Sequence, residues 1–132
     1  MARFAAAFWW GSLGTIGFLV VPMLFAKLGS PQIAGTLAGQ LFHAQSWVSI
    51  GCALLLLVYF RSKSDPHIDA ASRNSLGLVI AALLLALLQE YAVSPRILAR
   101  ENLKLWHGLG SAMYLGQWLL AGAVLWRLND RR

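Results

Sequence analysis

Two of the three histidines in this chain, His43 and His107, lie inside apolar stretches, and a glutamate, Glu90, lies inside another. A neutral imidazole ligates haem iron, copper or zinc, and a carboxylate beside it orients the ring or completes a ligand set. Ionisable residues within membrane-spanning segments are rare, and those that occur mark substrate paths, proton relays or ligand sites. Gln40 stands three residues before His43, and Gln89 adjoins Glu90. By helical spacing Gln40, His43 and Trp47 share one face, and His107, Ser111 and Tyr114 share another. These groups predict convergence on one outward-facing pocket.

The histidines close two similar segments, "SPQIAGTLAGQLFH" (30–43) and "SPRILARENLKLWH" (94–107). Ser, Pro, Ile, Leu and His recur at one constant offset, Ser94 over Ser30 and His107 over His43. The repeat predicts two tandem helical hairpins with the two rings at matched depth. Ser followed by Pro is an N-cap and first-turn signal, so helices are predicted to begin at Pro31 and Pro95.

The elements that position these residues follow from composition. Of the 132 residues 58% are hydrophobic and 12% charged, against about 25% charged in soluble domains. Apolar runs occupy residues 4–26, 41–60, 76–93 and 105–126. Each meets or approaches the ~20 residues that cross a ~30 Å hydrocarbon core. Lipid offers no partner to backbone N–H and C=O, so each run must be an α-helix. The predicted fold is all-α, an integral membrane four-helix bundle forming one membrane domain. It divides into hairpin one (1–60), a polar loop (61–75), hairpin two (76–126) and a basic tail (127–132). The first run exceeds the 7–15 residues of a signal h-region and is read as a retained span. His67 reads as a loop residue.

The net charge of +6 comes from 11 Lys+Arg against 5 Asp+Glu. It reads as membrane topology rather than as a nucleic-acid surface. Arg3, Arg61, Lys63, Arg73, Arg127, Arg131 and Arg132 fall on the side of the termini, with Lys27, Arg96, Arg100 and Lys104 opposite. The larger group belongs inside, which predicts cytoplasmic termini and a multi-pass protein of the inner (plasma) membrane. The four-residue spacing of Arg96, Arg100 and Lys104 predicts a basic stripe on the start of the fourth helix for lipid-headgroup or solute contact. Trp9, Trp10, Tyr59, Phe60 and Trp126 are expected at one interface, and Phe42, Trp47, Tyr91 and Trp106 at the other. Cys52 is the only cysteine, which rules out an intramolecular disulfide.

Small residues at Gly11, Gly14 and Gly17, at Gly35 and Gly39, and at Ala112 and Gly116 permit close helix contacts. If the first glycine face were left uncovered in the monomer it would serve a homo-oligomer. Pro22 is expected to kink the first helix.

The segments "WGS" (10–12), "VVPMLFAKL" (20–28), "AGTLAGQLF" (34–42) and "SPRI…LWHGLGS" (94–111) together resemble the transmembrane protein 205-like family. The matching positions are Pro22, Leu24, Phe25, Ala34, Gly35, Gly39, Phe42, Pro95, Ile97 and His107. Where that family has Asn after its Pro-Ile, this chain has Leu98. The resemblance implies a small four-helix membrane protein and no particular activity.

Three readings of the polar residues stay open. They are interfacial groups bonded to one another and to headgroups, or a site on His43 and His107 for haem b or, with Glu90, for a metal, or part of a solute-related or accessory membrane protein. The sequence has no nucleophile with a base at motif spacing, no HExxH, no CxxC and no phosphate-cradling loop. The expected function is therefore non-enzymatic.

Overall fold

The computed structural model of the chain describes residues 1–63 and 70–130; His67, Arg131 and Arg132 lie outside them. Among the described residues four helices are long and apolar enough to cross a membrane: α1 (Ala2–Lys27), α2 (Pro31–Ser62), α3 (Ser72–Leu98) and α4 (Leu103–Asp130). No strand occurs among the described residues. At a rise of ~1.5 Å per residue each helix outreaches a ~30 Å hydrocarbon core, so its ends stand among the headgroups. The polar stretch 61–75 is helical at both ends, since α2 runs to Ser62 and the turns leading into α3 begin at Ala70.

The start of α2 is the expected one. Ser30 is extended (φ −127°), its Oγ accepts the Ile33 N–H at 3.5 Å, and Pro31 occupies the first turn. Before it, Gly29 takes a left-handed φ of +68° that ends α1. The start predicted at Pro95 is not found. Ser94 is helical (φ −57°) and α3 continues through Pro95 to Leu98. The chain turns at 99–102, where Arg100 and Asn102 have positive φ, and α4 begins only at Leu103.

Both internal prolines follow a π-helical segment: Thr15–Val20 precedes Pro22, and Gln89–Val93 precedes Pro95. A proline ring clashes with the carbonyl four residues back. Those carbonyls belong to Phe18 and Tyr91, within the wider π turns. The disturbance expected at Pro22 therefore takes the form of a π segment, and the same device carries α3 past Pro95.

The packed core occupies the half of the bundle that holds the termini. Trp9, Leu13, Leu56, Val79 and Val124 are fully buried there. Trp9 and Phe60 belong to this core and not to an interfacial belt, whereas Trp126 is exposed. Membrane helices are apolar on every side, so composition does not separate a lipid-facing aromatic from a core one.

α1 and α4 run antiparallel in close register. The Arg3 guanidinium donates to the Leu128 carbonyl at 3.1 Å. The Trp10 indole lies over Gly122 and that of Trp118 over Gly14, and the two rings stack at 5.7 Å. Tyr114 lies against Gly17, and its hydroxyl donates to the Leu13 carbonyl at 2.6 Å. Gly14 and Gly17 are thus covered within the chain, whereas a methyl group added at Gly11 would meet nothing within 4 Å. Between α1 and α2, Gln45 donates to Ser12 at 3.0 Å, and Ser12 donates to the Trp9 carbonyl at 3.0 Å.

Past this level the two hairpins part. The Ala2–Gly14 portion of α1 packs on both α2 and α4; in Thr15–Val20, Gly17 and Phe18 still meet the Tyr114 and Trp118 rings of α4, and Val21–Lys27 packs on α2. The Ala70–Leu88 portion of α3 packs on both α2 and α4, whereas Ser94–Leu98 keeps only α4. One half of the bundle is closed and the other is split between α1–α2 and α3–α4.

A methyl group added at Gly17 would come within 2.5 Å of the Tyr114 ring, whereas one added at Gly35 would meet nothing within 4 Å. Gly17→Ala should lower the thermal midpoint of the detergent-solubilised protein, by the equivalent of about 1–3 kcal/mol of overpacking, and Gly35→Ala should leave it nearly unchanged. Equal midpoints for the two variants would contradict the placement of Tyr114.

Candidate functional site

The split half encloses a cavity of about 410 Å³ walled by all four helices, within the ~300–1,000 Å³ common for small-molecule pockets. α1 contributes Gly17, Phe18 and Phe25, and α2 contributes Gly39, Phe42 and His43. α3 adds Gln89, Glu90 and Ile97; α4 adds His107, Ser111 and Tyr114. The predicted face His107–Ser111–Tyr114 turns inward as a unit. Of the other predicted face, His43 reaches the cavity and contacts Trp47 edge-on at 6.4 Å, while Gln40 is exposed and not among the lining residues.

The polar centre of the wall is His43 with Glu90. The imidazole Nδ1 and the carboxylate Oε1 are in direct hydrogen-bond contact across the α2–α3 side. The His43 side chain is 59% exposed and that of Glu90 only 11%. With Nδ1 engaged, Nε2 is the ring nitrogen left for another partner, the arrangement in which a carboxylate fixes the orientation of an imidazole. Beside them the Gln89 Oε1 is buried without a hydrogen-bond partner, an open acceptor on a residue of the cavity wall. The inner end is formed by Tyr114 and Phe42, whose rings meet edge to face at 5.1 Å.

The predicted convergence of His43, Glu90, Gln89 and His107 is therefore found. The combination into a metal set is a separate matter. Among the described residues no group of three or more His, Cys, Asp or Glu is placed to hold a metal ion. His43 and Glu90 meet, while His107 shares their cavity from α4.

The basic stripe needs correction. Because α4 starts at Leu103, Arg96 lies on α3, Arg100 in the turn and Lys104 on α4. All three are exposed, and the Arg96 guanidinium lies 4.5 Å over the Trp106 ring. Together with exposed Lys27 at the end of α1 they lie at the end of the bundle opposite the termini, a basic rim beyond the residues that line the cavity. Ser46 and Ser94 also line the wall; the sequence reading passed over Ser46 and took Ser94 only as a helix cap. Helical spacing from His43 (i+3) and Glu90 (i+4) is the signal that finds them.

Removing His43 leaves a largely buried carboxylate without its partner, which costs about 1–3 kcal/mol. His43→Ala should destabilise the detergent-solubilised protein more than His43→Ala combined with Glu90→Gln. A double variant no more stable than the single one would show that the two side chains do not interact.

Comparison with known proteins adds one affiliation. No curated protein and no solved structure matches the chain significantly. Residues 4–105, which carry α1, α2, α3 and the outer turn, match the family described as a domain of unknown function, DUF4149, and the chain belongs to that family.

Proposed function

We propose that this is a non-enzymatic membrane protein whose four-helix cavity receives a small membrane-borne ligand, and that it is of the transmembrane protein 205-like kind. The observation that carries the reading is the His43–Glu90 pair on the wall of a cavity built by all four helices. Six of the residues that carry the family resemblance support it: Phe25, Gly35, Gly39, Phe42, Ile97 and His107 line that cavity. Polar groups are few and convergent and the remaining wall is apolar, the composition of a ligand site rather than of an aqueous path.

The ligand enters sideways. Between α1 and α4 the helices separate beyond the Tyr114 level. Phe18 and Phe25 on one side and Leu115 on the other are about half exposed. The opposite side is held shut by His43 and Glu90. In the proposed orientation the termini are cytoplasmic in the inner membrane, so the cavity belongs to the outer leaflet.

Gly39 has open space around it on the cavity wall, so Gly39→Phe fills the site without a backbone clash. Native mass spectrometry of protein extracted in mild detergent should find a small molecule on the unaltered chain and none on Gly39→Phe. Absence of any bound molecule from the unaltered chain, before and after incubation with membrane extract, would overturn the reading. For topology, reporter fusions at Asp130 should be active in the cytoplasm, and fusions at Gly29 should be active outside it. The reverse pattern would overturn the orientation.

Haem b is the second reading, favoured by two histidines on one cavity, one with its Nδ1 held by a carboxylate. An absorption spectrum separates the two. The ligand reading expects no Soret band, whereas a band abolished by His43→Ala or His107→Ala would replace it with the haem reading.

A further inference from the structure

Resting on the reading of the cavity as a ligand site, we infer that its occupant is an anionic phospholipid, with one acyl chain in the cleft and its phosphate at the basic rim.

Along α2 the wall runs from Gly35 to Ser46, and along α3 from Gln89 to Leu98. At ~1.5 Å per residue these stretches measure about 14–16 Å, the thickness of one leaflet of a ~30 Å hydrocarbon core. The cleft therefore parallels a lipid chain from the headgroup level to the bilayer midplane. The Phe42–Tyr114 contact narrows it toward that end.

Beyond the Phe18–Trp118 contact the α1–α4 side of the cavity is bordered by Phe25 and Leu115, both about half exposed. In the proposed orientation a neighbouring lipid enters there by moving one chain sideways. The volume of about 410 Å³ suits one chain, leaving the second in the bilayer.

Lys27 ends α1 and Lys104 stands in the first turn of α4, so cations occupy both helices that border this side of the cavity. Arg96 and Arg100 complete the rim, and Glu101 is the opposing charge in the same turn. His43 and Glu90 lie deeper and are engaged with each other rather than with the rim. A phosphate carrying a net negative charge satisfies the rim, and a zwitterionic headgroup brings its own cation to it.

The test is native mass spectrometry of the full chain in detergent, titrated with phosphatidylglycerol or with phosphatidylcholine of the same acyl chains. The expected result is one phosphatidylglycerol per chain, held about a hundredfold more tightly than phosphatidylcholine, given roughly 1 kcal/mol per basic residue near anionic headgroups and the rim cations Lys27, Arg96, Arg100 and Lys104 set against Glu101. The combined variant Lys27→Gln, Arg96→Gln and Lys104→Gln should bind the two lipids equally. Gly39→Phe should bind neither, and Gly35→Phe provides a second filler should the first fail to fold. Equal binding of both lipids by the unaltered chain would overturn the anionic selection and leave the cleft as a lipid site. Phosphatidylglycerol retained by a folded cleft-filled variant would place the lipid outside the cleft and overturn the inference. Failure of both lipids to bind, with a different molecule retained only by the unfilled cavity, would overturn the inference but not the ligand site. If the unaltered chain retains nothing at all, both fall.

Discussion

The hydroxyl of Tyr114 on the Leu13 carbonyl fixes the level at which this bundle changes character. Within a bilayer no water is present to satisfy a backbone group, so an irregular turn needs a partner from another helix. α1 becomes irregular at Thr15–Val20, and Tyr114 reaches it from α4 because Gly17 has no side chain in the way. On the terminal side of this contact, glycines under Trp10 and Trp118 bring α1 and α4 together. On the other side α1 follows α2 away from α4. The closed half supplies the stability and the open half the cavity.

Two π segments and two prolines make this division possible. Each proline would disrupt a regular helix at the carbonyl four residues before it, and each is preceded by a wider turn that holds that carbonyl. One pair lies in each hairpin, and residues of both π segments line the cavity: Gly17 and Phe18 from the first, Gln89 and Glu90 from the second. The second π segment thus carries Glu90 to His43 of α2. That contact bridges the hairpins where their backbones have begun to part.

Much of the architecture was legible in the sequence, because the hydrocarbon core leaves few alternatives. Four apolar runs of near-spanning length, the cap at Ser30 and the convergence of His43, Glu90 and His107 all follow from length, cap chemistry and the cost of buried charge. The second Ser-Pro misled, because Ser94 has the same neighbours as Ser30 but sits inside a helix whose preceding π turn accepts Pro95. The turn lies instead at 99–102, marked by left-handed Arg100 and Asn102. Asn in such a position is a weak cue that the stronger proline signal masked. The burial of Trp9 and Phe60 was not legible, because lipid-facing and core-facing sides are equally apolar here. Nor was the π geometry, since a proline in a helix signals a disturbance without saying which form it takes.

The central claim is that α1 and α4 are closely packed on the terminal side of Tyr114 and apart beyond it. Spin-label distances in lipid nanodiscs test this directly, with Cys52→Ala as background and cysteines introduced pairwise at Ala7 with Leu125 and at Phe25 with His107. Extending the α1–α4 register set by Trp10 over Gly122 and Trp118 over Gly14 puts each pair at one level. The account predicts a short, narrow distribution for the first pair and a clearly longer one for the second. Equal distances at the two levels would mean that α1 and α4 stay together along their whole length, and the cleft would have no opening.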